Sequence, residues 1–177
     1  MKRSTFDTIR VFRSPLDHRR GRLVAGPISI PCSLGRAGTR RNKREGDGAT
    51  PLGRFRVLGC FYRPDKGLRP RTRLPLAASR PSDGWCDDPR DRRYNQPVSL
   101  PYPARHERMW RDDHLYDVVV DLACNRGPVI KGRGSAIFLH LAWPDFSPTE
   151  GCVAVPAAMI RRLVERIGPH THIEIVA

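Results

Sequence analysis

Runs of apolar residues, alternating or continuous for a strand's length, recur along the chain between turn residues. They are TIRVF (8–12), RLVAGPISI (22–30), RFRVLGCFY (54–62), LYDVVVDL (115–122), AIFLHLAW (136–143) and HIEIV (172–176). This pattern predicts a mainly β protein. Alternation also predicts which side chains are buried together, because successive residues of a strand face opposite ways. In AIFLHLAW, Ile137, Leu139 and Leu141 fall on one face, and Phe138, His140 and Ala142 on the other.

A different period appears in PAAMIRRLVERIG (156–168), where Ile160, Leu163, Val164 and Ile167 recur at helical spacing opposite Arg161, Arg162 and Glu165. Pro156 suits the first turn of this predicted helix, and Gly168 suits the position just past its end. Residues 63–114 are long and poor in periodicity, and contain RPDKGLRPRTRLP and GWCDDPRDRRYNQP. Inside a compact domain such a stretch is either a functional loop or disordered.

The 177 residues suffice for one domain, 1–177, with its own hydrophobic core. No apolar run approaches the roughly 18 residues of a membrane-spanning helix. The opening, MKRSTFDTIRVFRSPLDHRRG, is basic and lacks an apolar central region, so no cleavable signal peptide is read in it. Five cysteines (32, 60, 86, 124 and 152) are widely spaced without a C-x-x-C pair, which argues against a disulfide framework. His106, His114 and the neighbouring acids do not make a zinc pattern of closely spaced ligands.

Charge is lopsided. Residues 1–80 carry 20 Lys+Arg against 5 Asp+Glu, within a formal net charge of +14. Such a field attracts anionic polymers, so residues 1–80 are a candidate contact for nucleic acid or an acidic cell-wall polymer; a solubilising surface is the plainer explanation. A basic nucleic-acid-binding module therefore stands as one functional class. Aromatic residues make up only 7%, which is poor for a stacking platform.

The other class is enzymatic, and rests on HLAWPDFSPTEGCVAVP (140–156). A cysteine attacks as the thiolate, and histidine is the usual base that makes one. His140 on a strand and Cys152 on the turn before the helix can be brought together by the intervening excursion. Gly151 lets the backbone bend sharply, so that the amides of Gly151 and Cys152 can face a developing oxyanion. On spacing alone, a buried inert thiol is the better explanation of Cys152.

IFLHLAWPDFSPTEGCVAV (137–155) resembles the active-site signature of L,D-transpeptidase catalytic domains, the YkuD-like family: a strand histidine followed by a Thr149-Glu150-Gly151-Cys152 core. KREGDGATPLGRF (43–55) resembles that family's DGxTPxGxF segment. GWCDDPRDRRYNQPV (84–98), MWRDDHLYDVVV (109–120) and GRGSAIFLHL (132–141) resemble a branch of short bacterial members. The resemblance implies a β-sandwich with long irregular loops and one short helix after the cysteine. It also implies a cysteine acyltransferase acting on peptidoglycan stem peptides through a thioester, without metal or organic cofactor, and a place in the cell envelope. Cys152 is then the nucleophile and His140 the base, with water in place of an amine acceptor giving an L,D-carboxypeptidase.

The match has departures. Better-known members carry a histidine before the glycine and an Arg or Asn two places after the cysteine, where this chain has Glu150 and Ala154. The interval from His140 to Cys152 is also shorter. Thr149, Arg133, Ser135 and Asp88 are candidates for substrate binding. Trp85, Asp87, Asp88, Tyr94 and Asn95 either brace the long loop, the favoured reading, or line a cleft, and GDGATPLG reads equally as a glycine-assisted turn.

Overall fold

A computed structural model describes residues 4–177; the first three residues of the basic opening lie outside the described residues. Among the described residues, fourteen strands and one helix follow in the order β1 (Thr8–Arg13), β2 (Arg20–Ala25), β3 (Ile28–Ser33), β4 (Thr39–Arg40), β5 (Thr50–Pro51), β6 (Gly53–Tyr62) and β7 (Leu76–Ala78). The chain continues through β8 (Asp83–Cys86), β9 (Pro97–Ser99), β10 (His106–Arg108), β11 (Val118–Leu122), β12 (Phe138–Leu141), β13 (Val153–Val155), α1 (Ala157–Val164) and β14 (His172–Val176). Each predicted strand is present. RLVAGPISI divides into β2 and β3 because Gly26, with φ 56°, leads a two-residue hairpin turn between Ala25 and Ile28.

The main sheet runs β11-β12-β13-β3-β2-β1-β14-β6-β7, and β6 pairs again with β11. The length of β6 makes this possible. Its first residues, Gly53–Arg56, pair with β14, and Val57–Tyr62 pair with β11, so the hydrogen bonding returns on itself. The fold is mainly β with one short helix near the C-terminus, as the resemblance implies.

Inside lies the principal core. It takes one face of the main-sheet strands, including Val11, Leu23, Val120, Leu139 and Ile173, and the apolar stripe of α1. The stripe runs through Ile160, Leu163, Val164 and Ile167, all buried as predicted. The helix itself stops at Val164, short of Gly168, because its last turn tightens to i→i+3 bonds: Arg166 N–H to the Leu163 carbonyl at 2.9 Å and Ile167 N–H to Val164 at 3.3 Å.

A second, smaller core covers the opposite face of β11 and β12, built on Trp85, Met109, Tyr116, Val119 and Phe138. Residues 63–114 supply its lid. Within them β10, β8 and β9 form a separate antiparallel sheet. Trp85 on β8 meets Phe138 edge to face, with centroids 5.1 Å apart, and burying a side chain of this size is worth roughly 2–3 kcal/mol. The aperiodic stretch is thus ordered, and it forms one wall of the cleft described next.

Candidate active site

β12 and β13 run parallel, with His140 opposite Ala154 and Leu139 opposite Val153. Residues 138, 140, 152 and 154 therefore share a face, the one turned away from the principal core. This register sets Cys152 diagonally from His140, and both line one cleft of ≈ 530 Å³. Cys152 is 8% exposed at the cleft floor.

The backbone around the sulfur is tightly specified. Gly151 has φ 140°, and a Cβ there would lie 2.9 Å from the Ala49 carbonyl oxygen, so glycine is required twice over. Thr149 Oγ1 accepts the Gly151 N–H at 3.1 Å and donates to the Cys152 carbonyl at 2.7 Å, closing the turn on itself. Thr50, wholly buried, fastens this turn to the rest of the fold. Its hydroxyl accepts the Gly35 N–H at 2.8 Å and reaches the Cys152 carbonyl at 3.4 Å. The GDGATPLG segment is therefore more than a bend: its threonine holds the cysteine turn, and Asp47 holds the segment by accepting from the Ala49 and Arg44 N–H groups and the Lys43 ammonium.

The imidazole of His140 and the thiol of Cys152 are each bonded to a backbone carbonyl. His140 Nδ1 stands 2.8 Å from the Leu141 carbonyl oxygen, which places the proton on Nδ1 and leaves Nε2 as an acceptor. Cys152 Sγ donates to the Ala136 carbonyl at 3.2 Å and accepts the Phe138 N–H at 3.3 Å. Ala136 adopts a left-handed backbone, φ 51°, which is unusual for a residue with a side chain and is held by a bond from its N–H to Asn95 Oδ1 at 3.2 Å. Asn95 also receives the Trp85 indole N–H at 3.1 Å and donates to the carbonyls of Cys124 and Asn125. Trp85 and Asn95 thus brace the site from beneath the lid.

Burial dominates both titrations. It pushes the Cys152 thiol up to about 12, aided by the Glu107 carboxylate and opposed by the Phe138 N–H and Lys43. It pushes the His140 imidazole down to about 4, against the Leu141 carbonyl. The resting pair is a neutral thiol and a neutral imidazole, not a thiolate–imidazolium ion pair.

The remaining sequence candidates divide. Ser135 lines the cleft with its hydroxyl given to Glu45 at 2.7 Å, and Thr149 lines it as part of the cysteine turn. Asp87 lines it too, bonded to Arg105 Nε at 2.9 Å. Asp88 lies outside the lining and bonds the N–H of Arg90 at 2.9 Å; Arg133 also lies outside it, its N–H on the Ile130 carbonyl. Tyr94 is buried and donates to Glu45. Glu150 turns outward onto Arg36 Nε at 2.9 Å, and Ala154 is buried.

Sequence reasoning gave no individual role to Lys43, Glu45, Thr50, Glu107, Arg111 or Tyr116, all of which reach the cleft or its supports. Lys43, Glu45 and Thr50 lie in a segment whose family resemblance was visible, whereas nothing local marks Glu107. Its carboxyl receives the Tyr116 hydroxyl at 2.5 Å, and the Tyr116 ring lies against His140 with centroids 5.2 Å apart.

A strand histidine and a cysteine on a glycine turn, on one cleft floor of a mainly β fold, are joined by an independent match. The family model of the L,D-transpeptidase catalytic domain covers residues 18–175, nearly the whole chain. The chain belongs to that family, whose members act as L,D-transpeptidase-type enzymes on peptidoglycan. No match was found among curated proteins or among solved structures. Among the described residues, no helix is long and apolar enough to cross a membrane.

Proposed function

We propose that the protein is a cysteine acyltransferase that performs L,D-transpeptidation on peptidoglycan stem peptides, with Cys152 as nucleophile and His140 as general base. The observation carrying this reading is the shared cleft floor, where the free Nε2 of His140 and the Cys152 sulfur line the same open space.

The chemistry follows from the neutral resting pair. As Sγ attacks the carbonyl of the third residue of a donor stem, its proton leaves the Ala136 carbonyl for His140 Nε2. The negative charge on the tetrahedral oxygen is met by the amides of Cys152 and Gly151. Gly151 first releases its N–H from Thr149 Oγ1, a small swing about a residue free of Cβ constraint. Collapse breaks the C–N bond, and the departing D-residue takes the proton from His140. The thioester is then attacked by an amine of a second stem, whose proton passes to His140 and on to the released thiolate. The product is a cross-link between two third-position residues. Attack by water instead gives the L,D-carboxypeptidase outcome.

Intact mass after incubation with a carbapenem tests the reading. A single adduct on the wild-type protein, absent from folded Cys152→Ala, is the expected result. Wild-type protein that stays unmodified while folded defeats it.

A further inference from the structure

The cleft is chemically unlike the chain that surrounds it. The protein carries a formal charge of +14, yet the cations lining the cleft are already committed to acids. Lys43 is paired with Asp47, Arg105 with Asp87 at 2.9 Å, and Arg111 with Asp113, whose Oδ1 lies 3.0 Å from its Nε. Of the acids on the cleft wall, Glu150 is turned onto Arg36. Two carboxylates remain short of positive charge. The closest cation contact of Glu45 is Arg105 at 4.0 Å, and that of Glu107 is Arg111 at 3.9 Å, each an arginine with a nearer partner.

Both carboxylates are held in the same way. Glu45 Oε2 accepts the Tyr94 and Ser135 hydroxyls, and Glu107 Oε1 accepts the Tyr116 hydroxyl. Each is therefore fixed through one oxygen by a phenol; Oε2 of Glu107 takes no hydrogen bond among the described residues, and Oε1 of Glu45 has only the 4.0 Å approach of Arg105, too long for a hydrogen bond. Fixed acceptors with an unused lone-pair face are what a hydrogen-bonding cation needs, since little is lost in orienting them. Burial, with Asp87 and Glu45 close by, also raises the Glu107 carboxyl above its ordinary range. Desolvation is the main cause and the neighbouring acids are minor ones, so a cation seated here would act against the shift. Both residues line the same space as Cys152, the space a molecule reacting there would enter.

We infer that Glu45 and Glu107 form a subsite for a primary ammonium group of the stem peptide, adjoining the Cys152–His140 pair. This rests on the cleft being the acyl-transfer site. The ammonium can belong to the donor stem's diamino acid or to the attacking stem; the chemistry recognised is the same.

The test compares binding of two synthetic stem tripeptides by calorimetry, one with a free side-chain amine and one with that amine acetylated. Wild-type protein is expected to prefer the free amine by about tenfold, the scale of one charge-assisted contact. Glu45→Gln and Glu107→Gln should each reduce that preference, and together reduce it to within about twofold. Equal binding of the two peptides to wild type, or an undiminished preference in the folded double variant, overturns the inference. Should a variant unfold, wild type alone decides: its preference must shrink as salt rises, and a salt-independent preference overturns the inference.

Carbapenem labelling, run in parallel, separates the two claims. An adduct without amine preference removes the subsite only, and amine preference without an adduct removes only the acyl-transfer reading. With tetrapeptide donors, a preference seen in D-alanine release assigns the ammonium to the donor. A preference confined to cross-link formation assigns it to the acceptor.

Discussion

The Cys152 thiol points its proton at the Ala136 carbonyl, 3.2 Å from Sγ, and not at an imidazole. That bond goes with a neutral resting sulfur; in the proposed mechanism the proton moves to His140 only when a substrate is attacked. The left-handed backbone of Ala136 aims that carbonyl, and Asn95 holds Ala136 in place.

The neutral thiol has a pH signature. With burial pushing Cys152 up to about 12, iodoacetamide labelling of Cys152, followed by peptide mass, should climb through pH 7 to 10 without levelling near the ordinary thiol range. A plateau below about pH 8 would show a preformed thiolate and refute the resting state described above.

His140 makes folding sensitive to acid. Its folded value of about 4 lies below its ordinary 6.5, so the unfolded chain binds the proton first as pH falls. The stability from keeping the imidazole neutral is full above pH 6.5 and lost as pH falls toward 4, on the order of 3 kcal/mol in all. Asp121 acts oppositely: burial raises it to about 6 against the pull of Arg126, so its contribution is lost as pH rises from 3.8 through 6. Denaturant melts of wild type and His140→Asn therefore isolate the histidine. The variant should show a shallower fall over this window, and identical slopes would contradict the assignment.

Thr50 is the fastener between the segment 43–55 and the cysteine turn. Thr50→Val leaves the Gly35 N–H without its acceptor in a buried place, and should cost about 1–3 kcal/mol in urea melts. Acyl-enzyme formation should slow as well, while Thr50→Ser, which keeps the hydroxyl, should restore most of both. If the valine variant matches wild type in stability and labelling, the fastening role is wrong.

Gly151 admits no side chain. Gly151→Ala combines a backbone at φ 140° with a Cβ 2.9 Å from the Ala49 oxygen, and the atom in the way is main chain. A stability loss of about 2 kcal/mol or more is expected, with carbapenem acylation slowed at least tenfold at temperatures where the protein stays folded. Wild-type labelling rates in the alanine variant would show that the turn has slack.

Much of this molecule is written in local pattern. Alternation in AIFLHLAW determined that Leu139 and Leu141 enter the principal core and that Phe138 and His140 face the other way, because a strand's two-residue period leaves no other choice. The stripe of Ile160, Leu163, Val164 and Ile167 likewise determined a helix and its buried side. Residues 63–114 carried no such period. Their short strands, three or four residues each, are stabilised by Trp85 against Phe138 and by the bonds of Asn95, contacts made across the fold. Cys152 and His140, the proposed nucleophile and base, lie 12 positions apart within one motif, so the sequence offers them together. Glu45, Glu107 and Tyr116 were not, since a carboxylate's partners depend on which chain segments meet around it. Only the parallel register of β12 with β13, and the lid packed over it, decided that these groups surround one sulfur.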